Sequence, residues 1–315
     1  MRLAEVYQDF MRRRLIWLPL ATFLACRTTS APPAPALERI SIEASRSKLQ
    51  KISPRKVQLW VVVHVRAHKT LAPDGSVDEA RLISGAVSDA DAVVEGGGDA
   101  IILINSRCEM PLYERVIEAV RTKHQKFPLG ISALDYGPKN VSEGFRLAKR
   151  FDAQIVWAET VPGERIEYED DDGSFKPAEL IDPAWALGLE REVLPSAMLV
   201  AGVHMKYTRP VDGRSFPDAI RASIGLVDGI NVTGPKTGVL AEVAHVATAR
   251  EAAGKAVMGL ASGVSVDNIA SVIDRIDYAI VGTSLKDPND ELRTSKDRVR
   301  ALRLRMDELG GGAPN

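Results

Sequence analysis

The sequence predicts an α/β fold, a (β/α)8 barrel of the TIM type behind an N-terminal signal and tether extension. Three observations predict it: eight apolar runs of strand length, segments of helical period between them, and Gly/Ser-rich turns closing the last two runs. Nearly continuous apolar runs such as Trp60 to Val63 and Ala100 to Ile104 suit parallel strands covered on both faces. An open doubly wound sheet is the alternative, but the count of units and the lack of a dinucleotide Gly-rich turn after the first run favour a closed barrel.

The strands are expected at 58–64, 99–105, 128–134, 153–158, 197–205, 228–233, 255–261 and 277–283. Helices are expected near 78–95, 112–126, 140–150, 183–194, 215–225, 238–253, 266–274 and 294–309. In the first of these, Ala80, Ile83, Ala86 or Val87, Ala90 and Val94 form one stripe, and Gly96-Gly97-Gly98 ends it. The loop Pro162 to Asp182 is unusually long and holds the acidic run Glu167 to Asp172. It reads as a solvated turn, with a lid or metal site as the other option.

The barrel is expected over 51–310 of the 315 residues, with 311–315 as a tail. A formal charge of −1 and 5% aromatic residues exclude a nucleic-acid partner. Met11 to Arg14 followed by the apolar run Leu15 to Ala25 reads as a signal peptide over 1–26, too short to span a bilayer core. Phe23-Leu24-Ala25-Cys26 resembles the lipobox of bacterial lipoproteins, with Phe where that box usually begins with Leu. Cys26 is then the lipidation site, 27–50 a flexible tether rich in Pro, Ala, Thr and Ser, and the protein exported and anchored to the membrane. A mis-assigned start would instead leave it in the cytoplasm.

Active sites of such barrels lie at the C-terminal ends of the strands. The polar residues ending the apolar runs are His64, Asn105, Glu159, His204, Lys206, Asn231 and Thr233. Alternation along a strand puts His204 and Lys206 on one face and Val203 and Met205 on the other. His204, Lys206 and Glu159 are the expected catalytic groups: an acid or base, an anion or enolate stabiliser, and a carboxylate base. His64, Asn105, Asn231 and Thr233 are expected to touch substrate. Gly234, Thr237, Gly238, Ser262, Gly263, Gly282, Thr283 and Ser284 form three turns suited to a phosphate, since Gly lets backbone N–H groups approach an anion closely. His64 and His68 stand four apart but lie across a strand end and its loop, so no metal is assigned, and no cofactor is implied.

From about Val57 to Lys286 the chain resembles the BtpA/SgcQ family of barrels, which are related in outline to the ribulose-phosphate-binding barrels. The resemblance rests on Val62-Val63-His64, Asp99 to Ile102 with Asn105, Val203-His204-Met205-Lys206, the turn Val232 to Gly238, the turn Ser262 to Asn268, and Ile280 to Lys286. The last three segments are the most specific. The chain departs from the family pattern at Ile104, Gly202, Tyr207, Ser132 and Asp135-Tyr136, all at the reacting end. The resemblance implies a barrel binding a phosphorylated small molecule, a sugar or nucleoside phosphate, with a lyase or isomerase proton transfer, or a nucleosidase-like reaction, as one expectation. A membrane-tethered, non-catalytic binding or assembly factor is the other.

Overall fold

The computed structural model describes residues 37–133 and 136–312. The chain enters the described region through helix α1 (Ile42–Ile52) and then alternates strands and helices: β1 (Gln58–Arg66), α2 (Glu79–Gly96), β2 (Ala100–Ser106), α3 (Met110–Lys123), β3 (Leu129–Ser132), α4 (Pro138–Phe151) and β4 (Ile155–Ala158). After β5 (Ile166–Glu169) and β6 (Phe175–Pro177) come α5 (Pro183–Val193), β7 (Met198–Gly202), β8 (Thr208–Pro210), α6 (Phe216–Ser223), β9 (Gly229–Val232), α7 (Val243–Ala253) and β10 (Val257–Leu260). The described chain ends with β11 (Tyr278–Val281), the short pair β12 (Lys286–Asp287) and β13 (Asp290–Thr294), and α8 (Lys296–Glu308).

Eight parallel strands close in the order β1-β11-β10-β9-β7-β4-β3-β2. Each coincides with one of the expected runs, so the predicted (β/α)8 barrel is the fold. Alternation sorts β1 cleanly: Leu59, Val61, Val63 and Val65 pack outward under the helices, while Trp60 and Val62 belong to the cluster inside the barrel. Trp60 and Tyr278 stack there with ring centroids 3.9 Å apart. Gly229 and Gly259 make that stack fit, because a Cβ on either would lie 2.6 and 2.0 Å from Tyr278 ring or hydroxyl atoms.

Three departures from the expected layout bear on the site. The expected helix at 266–274 is two 3-10 turns, Ile269–Ser271 and Ile273–Arg275. Helix α7 begins at Val243, later than expected, because residues before it form a loop packed against the β10 turn; a Cβ on Gly263 would meet Leu240 N at 2.0 Å. The acidic loop is not a plain turn: β6-β5-β8 form a three-stranded antiparallel sheet outside the barrel.

The tether expectation is corrected over its last residues. Ser41 accepts the Ala44 N–H as N-cap of α1, which buries Ser45, Leu49 and Ile52. Leu49 and Ile52 join the interior cluster, and Gln58 at the start of β1 donates to the Leu49 and Ser53 carbonyls, both at 2.7 Å. Lys48 reaches Glu190 at 2.5 Å and Asp228 at 3.0 Å. Helix α1 therefore closes the end of the barrel opposite the strand C-termini. Burial of its two aliphatic side chains contributes roughly 1.5–3 kcal/mol each. The signal segment and Cys26 lie outside the described residues. No helix among the described residues is long and apolar enough to cross a membrane.

Candidate active site at the barrel mouth

The C-terminal ends of the strands surround a cavity of about 810 Å³, within the range of small-molecule sites. His64 and Arg66 enter it from β1, continuing the inward parity of Trp60 and Val62. Trp157 enters it the same way from β4, and Glu159, the residue after β4, follows two positions on. Ser262 and Gly263 follow β10, Gly282 and Thr283 follow β11, and Thr237 and Gly238 follow β9. The outer sheet contributes Tyr168 and Glu169, so the acidic segment forms one wall of the cavity. Tyr168 stacks on Tyr136 at 4.7 Å, and Asp171 pairs with Arg107, which ties this wall to the loop after β2.

Lys206 and Glu159 share the cavity. The Lys206 ammonium donates to Ser262 Oγ at 3.3 Å, and its backbone N–H donates to Thr233 Oγ1 at 3.0 Å. Burial lowers its pKa, opposed by the Glu159 charge. Burial raises the Glu159 carboxyl to about 7, with Lys206 pulling the other way. His64 is held neutral, its pKa lowered to about 3 by burial and by Arg66, Lys286 and Lys206; its Nδ1 has no hydrogen-bond partner among the described residues.

His204 is not in the mouth. The parity that paired it with Lys206 assumes a strand running through both, but β7 ends at Gly202 and His204 sits at φ 46°. A Cβ on Gly202 would lie 2.0 Å from Met205 Sδ, so the Met205 side chain occupies the inward place beside Gly202. The His204 imidazole lies instead 3.6 Å from Glu164 and against the Phe216 ring.

The other expected residues divide similarly. Asn105 lines the cavity, yet its amide donates to the Cys108 carbonyl and accepts the Cys108 N–H, both at 2.8 Å, and so caps a turn. Asn231 is buried below the mouth, accepting from Tyr278 at 2.6 Å, and Thr233 serves the Lys206 backbone. Gly234 is wedged where a Cβ would meet Val239 O at 2.0 Å, and Ser284 donates to Val264 O at 2.6 Å; neither lines the cavity. Thr237, Gly238, Ser262, Gly263, Gly282 and Thr283 remain as one arc of the rim. Tyr207 secures it, exchanging hydrogen bonds with Thr237 Oγ1 and N–H, both at 3.2 Å.

Sequence reasoning missed Arg66, Asn140 and Trp157 in the lining, and it marks Tyr136 only as a departure at the reacting end. Counting by two from His64 and from Glu159 would have found Arg66 and Trp157. Among the described residues no group of three or more His, Cys, Asp or Glu is placed to hold a metal ion. His68 is exposed, with Nδ1 3.3 Å from the Ser106 carbonyl.

The chain is similar in structure to tryptophan synthase from Mycobacterium tuberculosis, with 12% identity and a TM-score of 0.55 over 88% of this chain and 100% of that one. It is also similar to phosphoribosyl anthranilate isomerase from Thermus thermophilus, with 13% identity and a TM-score of 0.52 over 80% and 100%. Thiamine phosphate pyrophosphorylase from Pyrococcus furiosus gives 14% identity and a TM-score of 0.52 over 81% and 98%. At such identities these likenesses show the fold alone. No curated protein matches the chain. The BtpA family matches residues 55–307, which covers the whole barrel, and the chain belongs to the BtpA family.

Proposed function

We propose that the mouth binds a small phosphorylated metabolite, a sugar or nucleoside phosphate, and moves a proton on it in a lyase or isomerase reaction. The observation that carries this reading is the placement of Lys206: its ammonium touches Ser262 in the Gly-turn arc, while Glu159 occupies the same cavity. A phosphate would rest on the arc at 237–238, 262–263 and 282–283, where glycines allow close backbone approach. Two barrels of the same fold are named for phosphorylated compounds, phosphoribosyl anthranilate and thiamine phosphate, which supports the choice of ligand.

With a pKa of about 7, Glu159 both accepts and returns a proton at neutral pH. As carboxylate it takes a proton from carbon next to a carbonyl; the electron pair moves to the carbonyl oxygen, and Lys206 stabilises the enolate. On an α-hydroxy carbonyl sugar the hydroxyl proton of the enediolate passes to the former carbonyl oxygen, and return of the Glu159 proton to the former carbonyl carbon completes an isomerisation. The neutral His64 imidazole is suited to a hydrogen bond with a ligand oxygen.

Thermal-shift titration with phosphate, ribose 5-phosphate and ribulose 5-phosphate, beside unphosphorylated ribose, tests the binding. Only the phosphorylated compounds should stabilise the protein, and Ser262→Asp, which puts a carboxylate at the anion position, should remove the effect. Gly263→Asp is a poor variant, since its Cβ would collide with Leu240 backbone. Deuterium exchange from solvent into bound ligand, absent in Glu159→Gln, tests the chemistry. Binding without exchange would leave a binding protein and remove the enzyme.

A further inference from the structure

The Gly-turn arc occupies one side of the mouth, and the opposite side carries a second feature that the reading above leaves unused. In the closed strand order β3 lies four places from β10, so the start of α4, which follows β3, faces the Ser262-Gly263 turn across the barrel. Helix α4 is 14 residues long, and its N-cap, Gly137, offers no side-chain capping bond. Its first-turn N–H groups and the helix dipole favour an anion.

Asn140, in that first turn, is 1% exposed, and among the described residues neither its Nδ2 nor its Oδ1 has a hydrogen-bond partner. Yet it lines the cavity. A buried amide without partners costs about 1–3 kcal/mol per unsatisfied group, a cost that a ligand on those atoms would remove. One cation stands on this side without an ion pair among the described residues, Lys139 beside Asn140; Arg66, at the end of β1, lies midway between this side and the arc. Carboxylates are also near: Glu169, Asp170 and Asp171 stand on the wall that reaches Tyr136, with Asp170 paired to Lys176 and Asp171 to Arg107. Glu143 is engaged by Arg146 at 2.8 Å, and Glu109 is the N-cap residue of α3.

From this arrangement we infer that the start of α4, with Asn140 and Lys139, is a second anion subsite, and that the ligand carries an anionic group at each end. The proposal rests on the phosphate reading of the opposite rim. The second group is a phosphate or a carboxylate, both of which accept from an amide Nδ2 and from helix N–H groups. Glu159 and Lys206 would then act on the carbons between the two ends.

Isothermal titration of the full chain separates these points. The probes are ribulose 5-phosphate and glucose 6-phosphate, with one anionic group, against ribulose 1,5-bisphosphate and 6-phosphogluconate, with two. The ligands with two anionic groups should bind at least about tenfold tighter. Whichever of the two gains more names the second group. The surplus should vanish in Asn140→Ala and shrink in Lys139→Ala, while monophosphate affinity stays unchanged. Asn140→Ala should keep or raise the melting temperature, because it deletes an unpaired buried amide, so loss of the surplus would not reflect unfolding. If monophosphates bind and the surplus is missing, or survives both variants, the subsite falls and the phosphate reading stands. If two-ended ligands still bind Ser262→Asp but not Asn140→Ala, the Gly-turn arc falls instead. Binding of none of the four removes both.

Discussion

The sulfur of Met205 lies 2.0 Å from where a Cβ on Gly202 would stand, and this contact decides which side chains reach the mouth. The chain turns after Gly202, Met205 folds back inside the barrel, Lys206 is delivered to Ser262, and His204 is carried outward. Gly202→Ala should therefore destabilise the protein by about 1–3 kcal/mol by overpacking, and should weaken phosphate binding by displacing Lys206. Shortening Met205 opens the space again. Urea denaturation of Gly202→Ala, Met205→Ala and the double variant should show strongly non-additive losses; simple additivity would refute the contact as the cause.

Glu159 makes the fold sensitive to pH in a defined direction. Its folded-state pKa of about 7 is raised above the ordinary 4.5, so its contribution to stability is present below 4.5 and is lost as pH rises through 7. Glu159→Gln has no carboxylate to bury. Its melting temperature relative to wild type should rise between pH 5 and pH 8, with a gain of about 1–3 kcal/mol at the upper end. A difference independent of pH would mean that the carboxyl titrates normally.

The eight strands were legible because parallel barrel strands, covered on both faces, must be apolar at every position, and Trp60 to Val63 or Ala100 to Ile104 can hardly be anything else. The ends of the apolar runs led to His64 and Glu159, which line the cavity. Parity failed for His204, because alternation holds only while the backbone stays extended, and the packing of Met205 beside Gly202 is a fact that no pattern of single residues displays. The start of α4 was invisible for a related reason: Asn140 reads as an ordinary polar residue at a helix start until its burial is known. Helix α1 was hidden by composition, although Ser45, Leu49 and Ile52 have helical spacing behind the Ser41 cap.

At the closed end of the barrel, Lys48 is the shared counter-ion of Glu190 and Asp228. Lys48→Met would leave two buried carboxylates uncompensated, at a cost of about 3–5 kcal/mol. Burial and the Asp228 charge already raise Glu190 to about 7, so its stabilising contribution is lost as pH rises through that value. The variant should accordingly be most destabilised near pH 8 and recover toward pH 5, where Glu190 takes up a proton. Chemical denaturation across that range measures it. Ligand affinity should not change, since α1 and the mouth lie at opposite ends of the strands, and a parallel loss of affinity would contradict the division.

His204 and Lys206 are two residues apart and should answer mutation in opposite ways. His204 adopts a left-handed backbone at φ 46°, its N–H donates to Glu164 Oε1 at 3.2 Å, and its ring packs on Phe216. Asn tolerates that backbone region and keeps the N–H bond, whereas a β-branched residue does not. His204→Asn should cost about 1 kcal/mol and His204→Val distinctly more, and in neither case should affinity for a phosphorylated ligand move more than about twofold. Lys206→Gln should lose about tenfold or more in affinity with little change in melting temperature, since its ammonium makes one 3.3 Å contact in the unliganded protein. Paired titration and denaturation of the three variants decide the matter. A large loss of affinity in His204→Asn at unchanged stability would return His204 to the reacting end and overturn the division of roles proposed from the turn at Gly202.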